Sequence, residues 1–313
     1  MRTRVLTLCW LLLWSCAGQA SELRYSLEAT SIAPDTWLVE GETGNFSRDN
    51  GGNIVNVAFI ATGNGAVVID TGPSRLYGEA LRQLVEATTG EPISHVLLTH
   101  HHPDHVFGNQ AFDPDTLYML ESGRQALASE GEAFSDNMYR LVGDWMRGTE
   151  VVVPANTLEP GPLVVGDHRF RLLEFTGHTG SDLVVFDETT GVLFASDMVF
   201  YNRALTTPQS PGVMVWAKEL MVLEELPYSL VVPGHGPVVT DDSAFRQMND
   251  YLSWLYQTLS SSASRGLTLA EVMNLPIPNR FQGIAGSRYE LIRTTTHLYP
   301  RYERAALELL SEE

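Results

Sequence analysis

In each half of the chain, an apolar strand ends in an aspartate, a helix follows, and a second apolar strand ends in a histidine. Asp70 and His100 hold these positions in the first half, and Asp197 and His235 hold them in the second. Short apolar runs that end at turn residues are typical of buried strands, and helices between such strands favour an α/β fold. This internal pseudo-repeat therefore predicts two sheets with helices on the outside.

The first twenty residues have the features of a signal peptide. Two arginines precede an apolar run over residues 5–14, and Gly18-Gln19-Ala20 resembles a cleavage site. The run is shorter than the roughly 18 apolar residues that span a bilayer. We expect a periplasmic or secreted protein that is cleaved after about Ala20. A short membrane anchor and a lipoprotein attached through Cys16 are the alternatives.

The composition narrows the classes of partner and of chemistry. The 20 Lys and Arg residues against 38 Asp and Glu residues give a net charge of −18. This charge disfavours nucleic acid, because phosphate binding needs a basic face, and it favours a neutral or cationic small-molecule substrate. Both cysteines, Cys9 and Cys16, lie in the predicted signal peptide. The mature chain therefore has no cysteine nucleophile and no cysteine metal ligand.

Two regions follow the predicted signal peptide. Residues 21–240 contain the pseudo-repeat and are predicted to form one domain. Residues 241–313 are predicted to form a helical extension packed on the core, because apolar residues recur at helical spacing over residues 245–259. Pro300 is expected to break the last helix, since proline lacks the backbone N–H that a helix interior needs.

A cluster of histidines follows the second predicted strand. His100 and His102 are two positions apart, so both imidazoles point the same way on an extended chain. Asp104 and His105 follow at a predicted turn, from which they can face a second metal ion. His101 alternates with its neighbours and is expected to point away from the metals.

Three later strand ends add further side chains of the kind that bind metals. His178 and His235 lie between glycines, which let the backbone turn sharply and approach a bound ion, and Asp197 follows an apolar run. Imidazole and carboxylate groups suit zinc, and also iron or manganese. The candidate metal ligands are His100, His102, Asp104, His105, His178, Asp197 and His235.

The order and spacing of these residues resemble the motif set of the metallo-β-lactamase superfamily across about residues 53–240. The resemblance implies an αββα sandwich, in which two mixed sheets carry helices on their outer faces. It also implies that Asp70 is a buried structural carboxylate and that Asp197 bridges two metals. The implied ligands are His100, His102 and His178 for the first metal, and Asp104, His105 and His235 for the second.

Further segments resemble one branch of that superfamily, the quinoprotein relay system zinc metallohydrolases, which are similar to SoxH-type proteins. The matching segments are residues 70–80, 99–112, 136–140 and 143–150. Members of this branch are exported and are associated with quinone-cofactor dehydrogenase systems. The resemblance therefore implies a periplasmic quinoprotein dehydrogenase system as a partner.

The activity that the resemblance implies is hydrolysis of an ester, thioester or related bond by a hydroxide shared between two zinc ions. Asp104 and Asp197 would be the catalytic carboxylates. The pattern is similar to that of glyoxalase II, but the tail shows no clear basic motif of the kind that grips glutathione. The alternatives are a persulfide dioxygenase with one non-haem iron, a β-lactamase, and a non-catalytic relay or binding protein. Some lactamases need a cysteine in the second site and others lack a bridging acid, so the lactamase pattern fits less well.

The loop over residues 44–53 leaves two interpretations open. It lies where the superfamily often carries a flap that covers the substrate. It is also rich in Gly, Asn and Ser, as a plain polar turn would be.

Overall fold

The computed structural model describes residues 23–312, so the predicted signal peptide and its two cysteines lie outside the described residues. The strands are β1 Thr30–Ala33, β2 Thr36–Val39, β3 Val57–Ile60, β4 Ala66–Ile69, β5 Ile93–Leu98, β6 Leu117–Leu120, β7 Asn156–Leu158, β8 Gly161–Val165, β9 His168–Phe175, β10 Asp182–Asp187, β11 Val192–Phe200 and β12 Leu230–His235. The helices are α1 Arg75–Thr89, α2 Pro103–Val106, α3 Glu121–Val142, α4 Val213–Glu224, α5 Ser243–Ser264, α6 Leu269–Met273, α7 Asn279–Gln282 and α8 Ser287–Glu312.

The strands form two mixed sheets, as predicted. The first sheet has seven strands in the order β1 to β7, antiparallel up to β4 and parallel from β4 onwards. The second has five strands in the order β12-β11-β10-β9-β8, in which β11 and β12 are parallel and the other pairs are antiparallel. The parallel pairs β4–β5 and β11–β12 are the two strand pairs of the pseudo-repeat.

Three apolar layers hold the fold together. The inner faces of the two sheets share one layer, which includes Ile60, Leu97 and Phe194. The outer face of the first sheet packs on α1 and α3, and the outer face of the second packs on α4, α5 and α8. The order helix, sheet, sheet, helix confirms the predicted αββα sandwich.

Local sequence signals explain why α1 forms. The Ser74 side chain accepts a hydrogen bond from the backbone N–H of Tyr77 at the N-cap, which satisfies one of the free donors of the first turn. Leu81 and Val85 are buried on one face. Gly90 ends the helix in the left-handed region at φ 69°, where a residue without Cβ is not strained.

Pro300 does not break the last helix, so that prediction was wrong. Helix α8 continues through Pro300 to residue 312. An interior proline costs about 3 kcal/mol, but residues beyond it make tertiary contacts. The ring of Tyr302 packs edge-on against Tyr256 of α5, with centroids 6.2 Å apart. Leu298 and Tyr299 before the proline are buried as well, so the helix packs on the fold on both sides of Pro300.

The region after residue 240 is helical, and its apolar residues predicted to form one face are buried. Phe245, Met248 and Leu252 are among the side chains of α5 that pack on the second sheet. The placement of a domain boundary at residue 240 stays a prediction. Within residues 23–312, every helix is too short or too polar to cross a membrane.

Candidate metal centre

The structure brings the seven predicted ligands together at one edge of the sandwich. They lie in the segment after β5, in α2, in the β9–β10 loop, in β11 and at the end of β12. All seven side chains are buried. They form two groups, in each of which the potential ligand atoms lie within 4.8 Å of one another. The first group is His100, His102, His178 and Asp197, and the second group is Asp104, His105 and His235.

The first group presents three imidazoles to one point. Nε2 of His178 lies 3.0 Å from Nδ1 of His102 and 3.2 Å from Oδ2 of Asp197. Nε2 of His100 lies 3.8 Å from the same oxygen. Nε2 of His102 faces away toward Gln209, at 3.3 Å. His102 therefore offers Nδ1 to a metal, whereas the other two histidines offer Nε2.

The second group converges in the same manner. Nε2 of His235 lies 3.4 Å from Oδ2 of Asp104, and Nε2 of His105 lies 3.8 Å from that oxygen. The other carboxylate oxygen of Asp197 reaches this group, since its Oδ1 lies 3.2 Å from Nε2 of His105 and 3.3 Å from Nε2 of His235. Asp197 thus turns one oxygen toward each group.

The position of Asp197 depends on an irregular strand and a glycine. The apolar run was predicted to end before this residue, but β11 continues to Phe200 with its register shifted around Ser196. Ser196 has φ 46°, an uncommon conformation for a residue other than glycine. A Cβ at Gly234 on the neighbouring strand would lie 2.0 Å from Oδ1 of Asp197. Glycine is therefore required there for the carboxylate to reach its place.

Buried atoms without partners show that the two groups fit metal ions. Nε2 of His100, Nε2 of His105 and Oδ1 of Asp197 make no hydrogen bond to any part of the chain that the structure describes. Leaving such atoms unpaired costs free energy. The separations given above for individual pairs of ligand atoms, 3.0 to 3.8 Å, bracket the edge of a tetrahedron with metal–ligand distances near 2.05 Å, which is about 3.3 Å. Nitrogen and oxygen donors at that spacing suit zinc or a similar transition metal.

The outward nitrogens of the second group are hydrogen-bonded. Nδ1 of His105 lies 2.7 Å from Oδ2 of Asp70, and Nδ1 of His235 lies 2.7 Å from the carbonyl oxygen of Ile54. Each bond fixes the tautomer that leaves Nε2 free to bind a metal. Asp70 also accepts bonds from the backbone and hydroxyl of Thr99. It is thus a buried carboxylate beside the centre.

Two carboxylates hold the backbone around His178. Glu219 of α4 accepts bonds from the backbone N–H groups of Thr176 and Gly177. Asp182 accepts a bond of 3.0 Å from the backbone N–H of His178. Burial raises the pKa of Asp182 above its usual value, although the nearby hydrogen bonds oppose this. The loop that carries His178 is therefore fixed from both sides.

Asn56 holds the loop that carries His235, and sequence reasoning did not identify it. Its Nδ2 donates to the carbonyl oxygens of Pro233, at 2.9 Å, and Gly236, at 2.7 Å. Its Oδ1 accepts a bond from the backbone of Gly41. An isolated buried asparagine gives no signal in the sequence that distinguishes it from other polar residues.

The charge state of the centre follows from burial and from its carboxylates. Burial keeps the pKa values of His100 and His102 well below the usual range, so both stay neutral. Burial alone would lower the pKa of His105, but Asp197, Asp70 and Asp104 together raise it well above the usual value. Burial alone would raise the pKa of Asp197, yet the surrounding histidines hold it well below its usual value.

His101 lies outside both groups, as expected. It is buried, and its Nε2 lies 3.6 Å from Oε2 of Glu130. Its ring is 5.8 Å from that of Phe134. His101 therefore packs toward α3 and does not join the ligands.

A cavity of about 260 Å³ opens onto the centre. Asp104, Asp197 and His235 line it, and the loop over residues 44–53 lines it through Asn45 and Phe46. This loop contacts the N-terminal segment, since the Tyr25 hydroxyl donates a hydrogen bond of 2.6 Å to the carbonyl oxygen of Gly51. The loop therefore borders the cavity, and its action as a substrate-covering flap stays a prediction.

The helical tail forms another wall of the cavity, which sequence reasoning missed. Tyr289 and Arg293 of α8 line it, together with Arg203 and Gln209 from the segment between β11 and α4. Neither arginine belongs to a motif, and Arg293 lies in a helix with ordinary amphipathic spacing. Tertiary folding alone brings them to the site.

Known proteins share this architecture and sequence pattern. A probable metallo-hydrolase of Bacillus subtilis, YqjP, is 25% identical over a 224-residue alignment that covers 60% of this chain and 69% of the relative. A hydroxyacylglutathione hydrolase of Rhodospirillum rubrum is 26% identical over 147 residues, which cover 47% of this chain and 49% of the relative. This chain therefore spans about half the length of the second relative.

A solved structure supports the same fold. A metallo-beta-lactamase from Pontibacter korlensis superposes with a TM-score of 0.57 at 21% identity, covering 72% of this chain and 99% of the other. At that identity the likeness concerns the fold alone. The model of the metallo-beta-lactamase superfamily matches residues 50–235, which include all seven converging side chains. The chain belongs to the metallo-beta-lactamase superfamily.

Proposed function

We propose that the protein is a dinuclear metal-dependent hydrolase that binds two zinc ions and acts on an ester or thioester. The observation that carries this proposal is the position of Asp197, whose two oxygens each lie 3.2 Å from an imidazole of a different group. A carboxylate shared in this way suits a pair of neighbouring ions. A mononuclear site would leave the buried Nε2 of His105, in the second group, without a partner.

Each residue has a proposed role. His100, His102 and His178 would hold the first ion, Asp104, His105 and His235 would hold the second, and Asp197 would contribute to both. Zinc bound there supplies Lewis acidity, which lowers the pKa of water from about 15.7 toward about 7 and stabilises negative charge on a carbonyl oxygen.

The side chains around the centre position the reacting groups. Asp104 lines the cavity, where its carboxylate is placed to orient water and to hold the proton that water loses. Phe46, Phe134 and Leu141 line the same cavity and limit the access of bulk water. The net reaction adds the OH of one water molecule to the acyl carbon and its remaining hydrogen to the departing oxygen or sulfur.

The names of the relatives support hydrolysis of an acyl compound. One is called a metallo-hydrolase and another a hydroxyacylglutathione hydrolase. The likeness to the β-lactamase structure concerns the fold alone, so it adds no support for lactams as substrates.

The proposal includes export and a link to a periplasmic quinoprotein dehydrogenase system. The signal-like features of residues 1–20 and the four motif segments of the finer resemblance support this part. Fractionation of cells that express the full chain tests export. Mature protein that starts near residue 21 in the periplasm or medium supports it, and uncleaved cytoplasmic protein contradicts it.

Metal content and turnover test the hydrolase. Purified protein and the variants His235→Ala and His297→Ala are analysed by plasma mass spectrometry and assayed with a panel of esters and thioesters. His297 is an exposed residue of α8 and serves as the control. We expect about two zinc ions per chain, close to one in His235→Ala and two in His297→Ala, together with metal-dependent hydrolysis.

Other results would contradict the proposal. One iron per chain, unchanged in His235→Ala, would favour a persulfide dioxygenase, for which oxygen uptake with persulfides is the assay. Little metal of any kind would favour a relay or binding protein.

A further inference from the structure

The cavity over the metal centre has a second chemically distinct end. Its lining combines the metal-binding side chains of His102, Asp104, Asp197 and His235 with Arg203 and with Tyr289 and Arg293 of α8. Apolar side chains, among them Phe134 and Leu141, also line it. A ligand in this cavity would contact metal, hydrocarbon and guanidinium surfaces together.

The charges at the arginine end do not balance. The Glu290 carboxylate is fully buried and lies 3.0 Å from Nη2 of Arg203, whose side chain is only 5% exposed. Nη1 of Arg293 donates to both oxygens of the same carboxylate, each at 3.1 Å. One carboxylate therefore faces two guanidinium groups. A net positive charge remains in the wall of the cavity, although the chain as a whole carries −18.

Arg293 is the arginine that is free to meet a ligand. Its side chain is 34% exposed, and its guanidinium lies 5.6 Å from the ring centroid of Tyr289. The bonds to Glu290 use Nη1 alone. A guanidinium has five N–H donors in a planar fork that matches a carboxylate, so Nε and Nη2 keep donors for a ligand. Glu290 holds the group from the buried side.

We propose that Arg293 binds a carboxylate of the substrate. The inference rests on the proposed hydrolase and names its substrate class. The substrate is an ester or thioester whose acyl part carries a second, free carboxylate, with a short hydrocarbon segment between the two groups. Its scissile carbonyl lies at the metal centre, its hydrocarbon contacts the apolar wall, and its free carboxylate pairs with Arg293. A cavity of about 260 Å³ suits a compound of this small size.

The positive charge in the cavity thus favours an anionic substrate, whereas the overall composition favours a neutral or cationic one. The acidic surface alone indicated neutral or cationic substrates. A cation in a partly buried pocket acts at short range in a medium of lower dielectric constant, whereas the surface charges are screened by salt over about 10 Å. The pocket charge therefore decides which ligand the site accepts.

A matched pair of esters tests the inference on the zinc-loaded enzyme. The mono-4-nitrophenyl ester of adipate carries a free carboxylate, and 4-nitrophenyl hexanoate has the same chain length without it. We expect kcat/KM to be at least about tenfold higher for the adipate ester. Arg293→Gln should lower that value about 10- to 100-fold, mainly through KM, and should lower kcat/KM for the hexanoate ester far less. Arg293→Lys should restore part of the preference.

Arg304→Gln is the control, because it removes the same charge from an exposed position on the same helix. It should preserve the preference for the adipate ester. Equal hydrolysis of the two esters by the wild-type enzyme, or an equal loss for both esters in Arg293→Gln, would overturn the inference.

A binding measurement separates this inference from the proposed function. Isothermal titration calorimetry compares adipate with hexanoate on the zinc-loaded wild type and on Arg293→Gln. Tighter binding of adipate, lost in the variant, supports the carboxylate site even if neither ester is hydrolysed, in which case only the hydrolase fails. If the enzyme hydrolyses 4-nitrophenyl hexanoate but Arg293→Gln binds adipate as tightly as the wild type, the proposed hydrolase function is supported and the carboxylate site is overturned.

Discussion

Nδ1 of His105 lies 2.7 Å from Oδ2 of Asp70, and the two residues are 35 positions apart in the chain. Asp70 has φ 64°, a strained conformation for a residue other than glycine that the surrounding structure must hold in place. The bond orients the imidazole and leaves Nε2 directed at the second group of ligands.

Replacing Asp70 should weaken the second metal site. In Asp70→Asn, an NH₂ group replaces one of the two oxygens that accept bonds from His105 and Thr99, and the negative charge is lost. Loss of such a supporting partner typically lowers metal affinity about 10- to 100-fold. Competition with a chromophoric zinc chelator would measure two affinities, of which only one, that of the second site, should change. Asp187→Asn breaks a similar buried pair, with His168 at 2.9 Å, and should leave both affinities intact.

A methyl group at residue 234 should displace the bridging carboxylate. In Gly234→Ala, the new Cβ would lie 2.0 Å from Oδ1 of Asp197, so the side chain or the strand must move. We expect the zinc content to fall from about two ions to one or fewer. Gly283→Ala is the matched control, because a Cβ there meets no atom within 4 Å. Full zinc content in Gly234→Ala would contradict the assigned role of Asp197.

The Asn56 side chain should stabilise the loop around His235. Asn56→Ala leaves two backbone carbonyl groups without their donors, and we expect the free energy of unfolding to fall by about 2–3 kcal/mol. Urea unfolding of zinc-free protein measures this value. Asn156→Ala also removes two bonds to backbone carbonyls but lies far along the first sheet, so it should not change zinc affinity. Asn56→Ala, in contrast, should lower zinc affinity. An unchanged zinc affinity in Asn56→Ala would show that other contacts hold the loop around His235.

Tyr25 should make the free energy of unfolding fall with rising pH in the alkaline range. Burial raises the pKa of its phenol from 10.0 to about 12, with the Ser74 hydrogen bond opposing the shift. The folded chain holds this proton more tightly than the unfolded chain does. The contribution of the neutral Tyr25 phenol to the free energy of unfolding is therefore complete below pH 10 and is lost as the pH rises from 10 to about 12.

Unfolding of Tyr25→Phe at several pH values measures this effect. The free energy of unfolding of the wild type should fall more steeply above pH 10, by up to about 1.4 kcal/mol per pH unit. The exposed Tyr139 provides the control variant Tyr139→Phe, which should follow the wild type. Parallel curves for Tyr25→Phe and the wild type would show that Tyr25 does not titrate in this range.

Much of the fold and of the metal centre could be predicted because local sequence determines it. The stretch from His100 to His105 places its ligands through the alternation of an extended chain and the start of a short helix. The two strand pairs of the pseudo-repeat are each defined by a continuous apolar run. These features depend on neighbours in sequence, so periodicity and turn residues reveal them.

The remainder depends on contacts between distant segments. Helix α8 continues through Pro300 and packs on α5 through Tyr302, a contact that no local rule contains. Asn56 holds the loop around His235 and Arg293 lines the cavity, although the sequence around each residue contains no motif. Asp197 lies inside β11 because of the register shift at Ser196, which the apolar pattern does not show.

The metal ligands are divided between the two halves of the pseudo-repeat. His100, His102, Asp104 and His105 come from the first half, and His178, Asp197 and His235 come from the second. Neither half alone contains a complete set for either ion. The ions would therefore link the two halves of the fold, and a chain that retains both ions has brought those halves together. Metal content would then serve as a record of correct folding as well as a measure of catalytic competence.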